Sequence, residues 1–334
     1  MPTIPLRSAL VTGATGFIGE HLARRLLREG WQVTLLVRTA SKLAADLQSD
    51  TKIIVGSLAD TAALAQAVAD VSVVFHCAAN VNTWDTPEAY RSTNVDGTHN
   101  ALQAIATHNP GLARLLHIST ADVYGFPEAP CDETSAMVTS GFGYGDSKRE
   151  GEQLVREFCT QQHIPFTIIR PCNVIGSKSQ FIERIGKELA SGLMLTINKG
   201  RANAGIVYID SLVDYLIWAA RAEIARSECY NVRDPYDVTW AQFIQHFRKT
   251  LRGRGMVINM PFSVVDKAAW ACELLWRTFL PTREPLLHRL LVCIFGRTCG
   301  HSARKIQKHS GIIPQLSFEE AMHRSIEWYC DAHR

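Results

Sequence analysis

The sequence predicts an α/β fold, a doubly wound parallel sheet with a smaller, partly interleaved C-terminal substrate domain. Three observations predict it. Short β runs alternate with helical segments through the first half, a glycine-rich turn joins the first strand to the first helix, and strand returns continue past the middle of the chain.

Ser8 to Thr12 is a β run that ends at the glycines. From Phe17 to Arg28 the apolar residues Ile18, Leu22 and Leu26 recur at helical spacing, and Gly30 stands where a helix would stop. Gln32 to Arg38 is the second strand, and Lys52 to Val55, ending in Gly56, the third. Ala62 to Ala69 has a helical pattern, Val71 to His76 forms a fourth strand, Leu115 to Ile118 a fifth and Phe166 to Arg170 a sixth. After about Pro171 the segments shorten. Gly205 to Ile209 is a strand, Leu212 to Arg221 a helix, Tyr230 to Val232 another strand, and a helix starts at Trp240. Residues 1–175 are thus expected to form the cofactor domain, with sheet returns near 205–232. Residues 176–334 form mainly the substrate domain, with an apolar helical segment over 262–297.

Composition narrows the class. Of 334 residues, 46% are apolar and 20% charged, which is ordinary for a soluble globular chain. A net charge of +3 with no long Lys/Arg block gives no grounds for nucleic-acid binding. Nine cysteines, none in a Cys-x-x-Cys pair, argue against a metal cage or disulfide framework and for a reducing compartment. Met1 to Arg7 leads straight into a strand and leaves no room for a signal peptide. No apolar run reaches the roughly 20 residues that span a bilayer. A cytoplasmic protein is expected, with surface contact to a membrane left open.

Gly13, Gly16 and Gly19 lie between a strand and an amphipathic helix, in the turn Thr12-Gly13-Ala14-Thr15-Gly16-Phe17-Ile18-Gly19. There the backbone can approach a pyrophosphate while the helix N-terminus supplies free N–H groups. The spacing is Gly-x-x-Gly-x-x-Gly, not Gly-x-Gly-x-x-Gly. An acid at the end of the second strand would select NAD; this chain has Val37 and then Arg38, with Lys42 close behind. A planar guanidinium suits a 2′-phosphate, so NADP(H) is preferred over NAD(H).

Tyr144 and Lys148 are four apart and share a helix face. A nearby cation lowers a phenol's pKa, which makes Tyr144 a candidate for proton transfer.

With these residues in place, the chain resembles the extended short-chain dehydrogenase/reductases, the NAD-dependent epimerase/dehydratase superfamily. The resemblance runs through Phe75-His76-Cys77-Ala78-Ala79, Asn94-Val95-Asp96-Gly97-Thr98, His117-Ile118-Ser119-Thr120-Ala121-Asp122-Val123-Tyr124-Gly125, Tyr144 with Lys148, Arg170 to Gly176, and Val207-Tyr208-Ile209-Asp210. It implies a Rossmann fold, a homodimer through the helices that include Tyr144 and Lys148, and a catalytic set of Thr120, Tyr144 and Lys148. Thr120 would hold the reacting oxygen. Lys148 would bind the nicotinamide ribose and lower the pKa of Tyr144. Gly13, Thr15, Gly16, Phe17, Ile18, Arg38, Lys42, Ser57, Leu58, Ala78, Ala79, Lys148, Pro171, Asn173 and Val174 would line the cofactor. Ser119, Asp122 and Asn173 would face the substrate. No metal is implied. Asn94 supports the architecture, His76 is packed, Cys172 is filler, and Asp122 is read as a loop cap rather than a second acid.

Two departures argue against the sugar-nucleotide branch: Ala121 and Asp122 replace paired acids, and Ala204 stands where a phosphate-binding Arg is usual, though Arg201 could substitute. Farther on, Val264, Ala268, Cys272, Leu275 and Phe279 form a helical stripe near Trp270 and Trp276. The stripe fits core helices or a dimer face; the sharper reading is an apolar substrate mouth or a membrane-facing patch over 264–297. With His76 to Ala79, Trp84 and the C-terminal run to Asp331, the region resembles the 3β-hydroxysteroid dehydrogenase-like branch. That branch implies hydride transfer between NADP(H) and a ketone or secondary alcohol on a hydrophobic molecule. The alternatives are a nucleotide-sugar epimerase or reductase, a thioester reductase (from Ala78-Ala79-Asn80-Val81-Asn82), and a non-catalytic NADP(H) sensor.

Overall fold

Successive residues of the first strand point to opposite faces, and both faces are covered. Ala9 and Val11 enter one hydrophobic cluster and Leu10 the other. The computed structural model describes residues 7–251, 256–279 and 283–334. In chain order its first half runs β1 (Ser8–Thr12), α1 (Phe17–Arg28), β2 (Gln32–Val37), α2 (Ala45–Asp50), β3 (Lys52–Val55), α3 (Thr61–Val68), β4 (Val73–His76), α4 (Pro87–Arg91), α5 (Gly97–His108), β5 (Arg114–Ile118), α6 (Gly143–Gln161) and β6 (Phe166–Pro171). Then come β7 (Asn173–Ile175), α7 (Gln180–Ala190), β8 (Leu193–Ile197), β9 (Ile206–Tyr208), α8 (Ile209–Arg221), β10 (Glu228–Val232) and α9 (Trp240–Thr250). The last elements are β11 (Met256–Met260), α10 (Phe262–Phe279), α11 (Arg289–Gly296), α12 (Arg304–Ser310) and α13 (Phe318–Ala332).

Seven strands form one parallel sheet in the order β10-β6-β5-β4-β1-β2-β3. One face is covered by α1 and α8 through Leu22, Leu26, Leu212 and Leu216; the other by α3, α5 and α6 through Leu64, Leu102, Ile105 and Val155. Each such leucine, fully buried, contributes about 1.5–3 kcal/mol. The order reverses direction between β4 and β1, so a crevice opens at their carboxyl ends.

The expected strands and helices of the first half are all present, with ends that shift by a residue or two. The helix after β3 starts at Thr61 because the Asp60 carboxylate accepts the Ala63 N–H at 3.0 Å. α8 begins directly after β9 at Ile209, three residues before the sequence pattern becomes helical. Outside the main sheet, β7 pairs with β9 and β8 with β11. α7, α9 and α13 pack through Ile182, Ile185, Phe243, Phe247 and Tyr329, in continuity with the larger cluster. A satellite core of Ile197, Val265, Ala269 and Val292 joins β8, α10 and α11.

α10 corrects the core reading of its stripe. Val264, Ala268, Leu275 and Phe279 point outward and Cys272 is half-buried, while the inward line is Val265 and Ala269. Both lines are apolar, so the spacing alone does not choose between them.

Candidate active site

β1 ends at Thr12, and Gly13 turns the chain with φ +73° beneath the end of β4. A Cβ on Gly13 would lie 2.8 Å from both N and Cα of Ala78, so only glycine fits. Gly16 caps α1, and no side chain bonds its first turn. The free N–H groups and the helix dipole there face the crevice. A cradle that any side chain would fill fits a dinucleotide pyrophosphate. Thr15 is exposed beside it, with Phe17 and Ile18 half-buried.

A one-way hydrogen-bond chain fixes the wall opposite. Thr12 Oγ1 accepts the Ala78 N–H at 3.1 Å and donates to His76 Nδ1 at 3.0 Å. His76 Nε2 donates to Thr98 Oγ1 at 3.1 Å, and Thr98 donates to the Asn94 carbonyl at 2.8 Å. The Ala78 N–H and the Asn94 carbonyl fix the two ends, which sets the tautomer. Burial, then the Lys148 charge, lowers the His76 pKa to about 3, so this histidine is a neutral, packed link. Asn94 sits in a π-helical turn over Ser92–Asp96 and binds the Asn80 N–H (2.7 Å), the Asn80 carbonyl (3.0 Å) and Ser147 Oγ (2.9 Å). It ties the loop after β4 to α6, an architectural role.

α6 brings Tyr144 and Lys148 to the end of β5. The helix is braced on β6 by Glu152, fully buried, which accepts from Arg170 Nη2 at 2.5 Å and Nε at 3.0 Å, and from Arg156 at 2.9 Å. Burial alone would raise the Glu152 carboxyl, but the two guanidiniums bring it below its ordinary value. Arg170 also donates to Tyr124 Oη at 2.6 Å, whose hydroxyl donates to Asn231 at 2.8 Å.

The Tyr144 phenol lies beside the Thr120 hydroxyl. Its pKa moves opposite to the expectation: burial first, then the Asp122 and Tyr90 charges, push it up, with Thr120 partly offsetting them. Lys148 is not among the groups that act on it, and its Nζ donates to the Ile118 carbonyl at 2.6 Å. Burial brings Lys148 down to about 8, against the opposing pull of Glu152 and Cys77. Burial likewise pushes the Cys77 thiol up to about 12.

Thr120 also caps the short turn over Ala121–Tyr124 by accepting the Asp122 N–H at 3.2 Å. The cap is therefore Thr120, not the Asp122 carboxyl, which burial raises to about 7. Ser119 Oγ is buried and has no hydrogen-bond partner among the described residues, so it does not satisfy a strand end. Asn173 donates from Nδ2 to the Ala204 carbonyl at 2.6 Å and from its backbone to Gly205 at 2.9 Å. Pro171 and Val174 are buried on either side of it, and Ala79 follows Ala78 half-buried across the crevice. Farther out, Arg38 and Lys42 stand exposed after β2, and Ser57 and Leu58 follow β3 at the same sheet edge.

Sequence reasoning missed two thiols. Cys299 lies beside Cys172, and that neighbour together with burial raises its pKa well above the ordinary value. Cys293 is pushed up to about 11 chiefly by burial. Both come from the far end of the chain, and no local spacing announces them. Beyond Asn203, whose carbonyl accepts the Cys299 N–H at 3.0 Å, a cavity of about 800 Å³ carries Lys199, Arg201, Arg297 and Glu128 in its walls.

The sequence pattern of the NAD dependent epimerase/dehydratase family matches residues 9–232. The chain belongs to this family. It is an NAD(P)-dependent enzyme of the extended short-chain dehydrogenase/reductase type. Among relatives in the family, it is 27% identical to a 2-alkyl-3-oxoalkanoate reductase of Stenotrophomonas maltophilia, over 94% of this chain and 97% of that protein. It is 26% identical to a 3-beta-hydroxysteroid dehydrogenase of Mycolicibacterium neoaurum, over 98% and 92%. The fold matches that of UDP-glucuronic acid 4-epimerase from Bacillus cereus in complex with NAD, with a TM-score of 0.77 at 20% identity over 98% and 100% of the two chains. Reductases and nucleotide-sugar enzymes thus both stand among its likenesses.

Proposed function

We propose that the enzyme reduces a ketone on a fairly hydrophobic small molecule to the secondary alcohol, using NADPH. The observation that carries this reading is the Tyr144 phenol, beside Thr120 and kept protonated chiefly by its burial. A phenol that stays neutral through physiological pH is a proton donor to a developing alkoxide. NADPH, when bound, supplies the hydride. Thr120 and Tyr144 grip the carbonyl oxygen, and the Tyr144 proton passes to it, so that ketone, hydride and one proton give the alcohol. Lys148, above the end of β5, holds the nicotinamide ribose. Gly13, Gly16 and the first turn of α1 hold the pyrophosphate, while Ala78, Pro171, Asn173 and Val174 line the nicotinamide end.

An apolar substrate is supported by the desolvation of Asp122 and by the buried Cys172 and Ala204. The alkyl-oxoalkanoate reductase among the relatives agrees with it. The cationic cavity walls of Lys199, Arg201 and Arg297 favour a second reading, a nucleotide-sugar epimerase or reductase. A homodimer is proposed through α5 and α6.

Turnover of NADPH with a 2-alkyl-3-oxo acid against a uridine diphosphate sugar separates the two. Consumption only with the sugar nucleotide would overturn the ketoreductase reading. Cofactor choice is read on Arg38→Ala. The preference for NADPH over NADH should fall by roughly tenfold, as one charge-assisted hydrogen bond of about 1.5 kcal/mol is lost. An unchanged ratio contradicts the assignment.

A further inference from the structure

Most helices of this chain turn charge outward; α13 exposes Glu319, His323, Arg324 and Glu327. α10 does not. Its outward side carries Val264, Trp270, Leu274, Leu275 and Phe279, exposed by 45%, 57%, 56%, 56% and 74%. The only charges among them are Lys267 and Arg277; just beyond, exposed Arg283 is followed by Glu284, whose carboxylate is held by Thr83, Arg184 and His288. The two acids of the helix are drawn inward. Asp266 pairs with Arg289 Nε at 2.9 Å, and Glu273 accepts the Arg289 N–H at 2.7 Å. The outward face of α10 itself is apolar and basic, without an acid on it.

We infer that this face of α10 docks the enzyme on an anionic phospholipid surface. An apolar helix face flanked by lysine and arginine matches a bilayer interface, where rings and aliphatic chains enter the acyl boundary and cations meet the phosphates. A second copy of the chain fits less well, because this face offers no acid to receive its own cations. The docking also reaches the substrate side. Arg277 lies 5.5 Å over the Trp84 ring, Trp84 packs at 5.7 Å against His288, and Thr83 donates to Glu284 at 2.7 Å. The loop so held, residues 80–86, accepts the Tyr90 hydroxyl at Asn82 (2.7 Å), beside Tyr144. A docked α10 therefore sets the mouth of the site toward the lipid. The surface stands apart from the reaction, since lipid binding is measured without turnover.

Flotation of the full chain with vesicles of phosphatidylcholine and an equal part of phosphatidylglycerol tests it, against vesicles of phosphatidylcholine alone. The wild type should float with the anionic vesicles and stay behind with the neutral ones. Leu274→Glu combined with Leu275→Glu should abolish flotation, with the melting transition retained. Lys267→Gln, at an exposed position, should weaken binding about fivefold, and it decides the matter if the double variant does not fold. Equal flotation with neutral vesicles, or full flotation of the double variant, overturns the inference. So does a wild-type dimer that fails to float and that the double variant splits, which would give the face to a second copy.

Discussion

The crevice at the carboxyl ends of β1 and β4 and the helix α10 carry similar amounts of sequence pattern, yet one is legible and the other misleading. Around the crevice, each residue type has one physical use. Gly13 must lack a Cβ, Thr12 must both accept and donate, and Glu152 must face two guanidiniums. In α10 the apolar residues recur on two lines at once, Val265 with Ala269 inside and Val264 with Leu275 outside. Periodicity identifies a helix in both regions. Only a constraint that excludes alternatives identifies what the helix does.

The largest expected effect probes the brace behind the crevice. Glu152→Ala leaves Arg170 buried and unpaired and should destabilise the fold by about 3–5 kcal/mol, read by urea unfolding. The depressed Glu152 carboxyl stabilises above its unfolded pKa, and that contribution is lost as pH falls through the lower folded value. A loss within 0.5 kcal/mol, the range of surface sites such as those on α10, would erase the contrast between the regions. Next comes Gly13→Val. Strain at positive φ and the clash with Ala78 should weaken NADPH binding about a hundredfold by calorimetry. Wild-type affinity would show that the turn does not hold the cofactor.

Smaller effects sharpen the site. Asp122 titrates at about 7, above the unfolded value near 4, so ionising it penalises the fold as pH rises between those values. Asp122→Asn should raise the melting temperature by a few degrees at pH 8 and leave it unchanged at pH 4. An equal shift at both pH values would mean the carboxyl is not desolvated by its neighbours.

Much of the fold was legible because each strand of the main sheet is a short apolar run bounded by glycine or a polar turn. Thr120 and Lys148 lie at the end of β5, with Tyr144 beside Thr120. Their electrostatics was not legible, because burial dominates both Tyr144 and Lys148. Asp122 was misread for the same reason, since the burial of a loop acid is set by the folded chain and not by its neighbours in sequence. α8 shows the milder form: its first turn takes Ile209, which the sequence pattern gives to the strand, and no capping side chain announces it.

Proton donation by Tyr144 to an apolar ketone is the central claim, and Tyr144→Phe tests it most directly. With NADPH and a 2-alkyl-3-oxo acid, the account predicts a fall in kcat of about 100-fold or more with NADPH affinity unchanged. Undiminished turnover in the phenylalanine variant, at the same NADPH affinity, would contradict it.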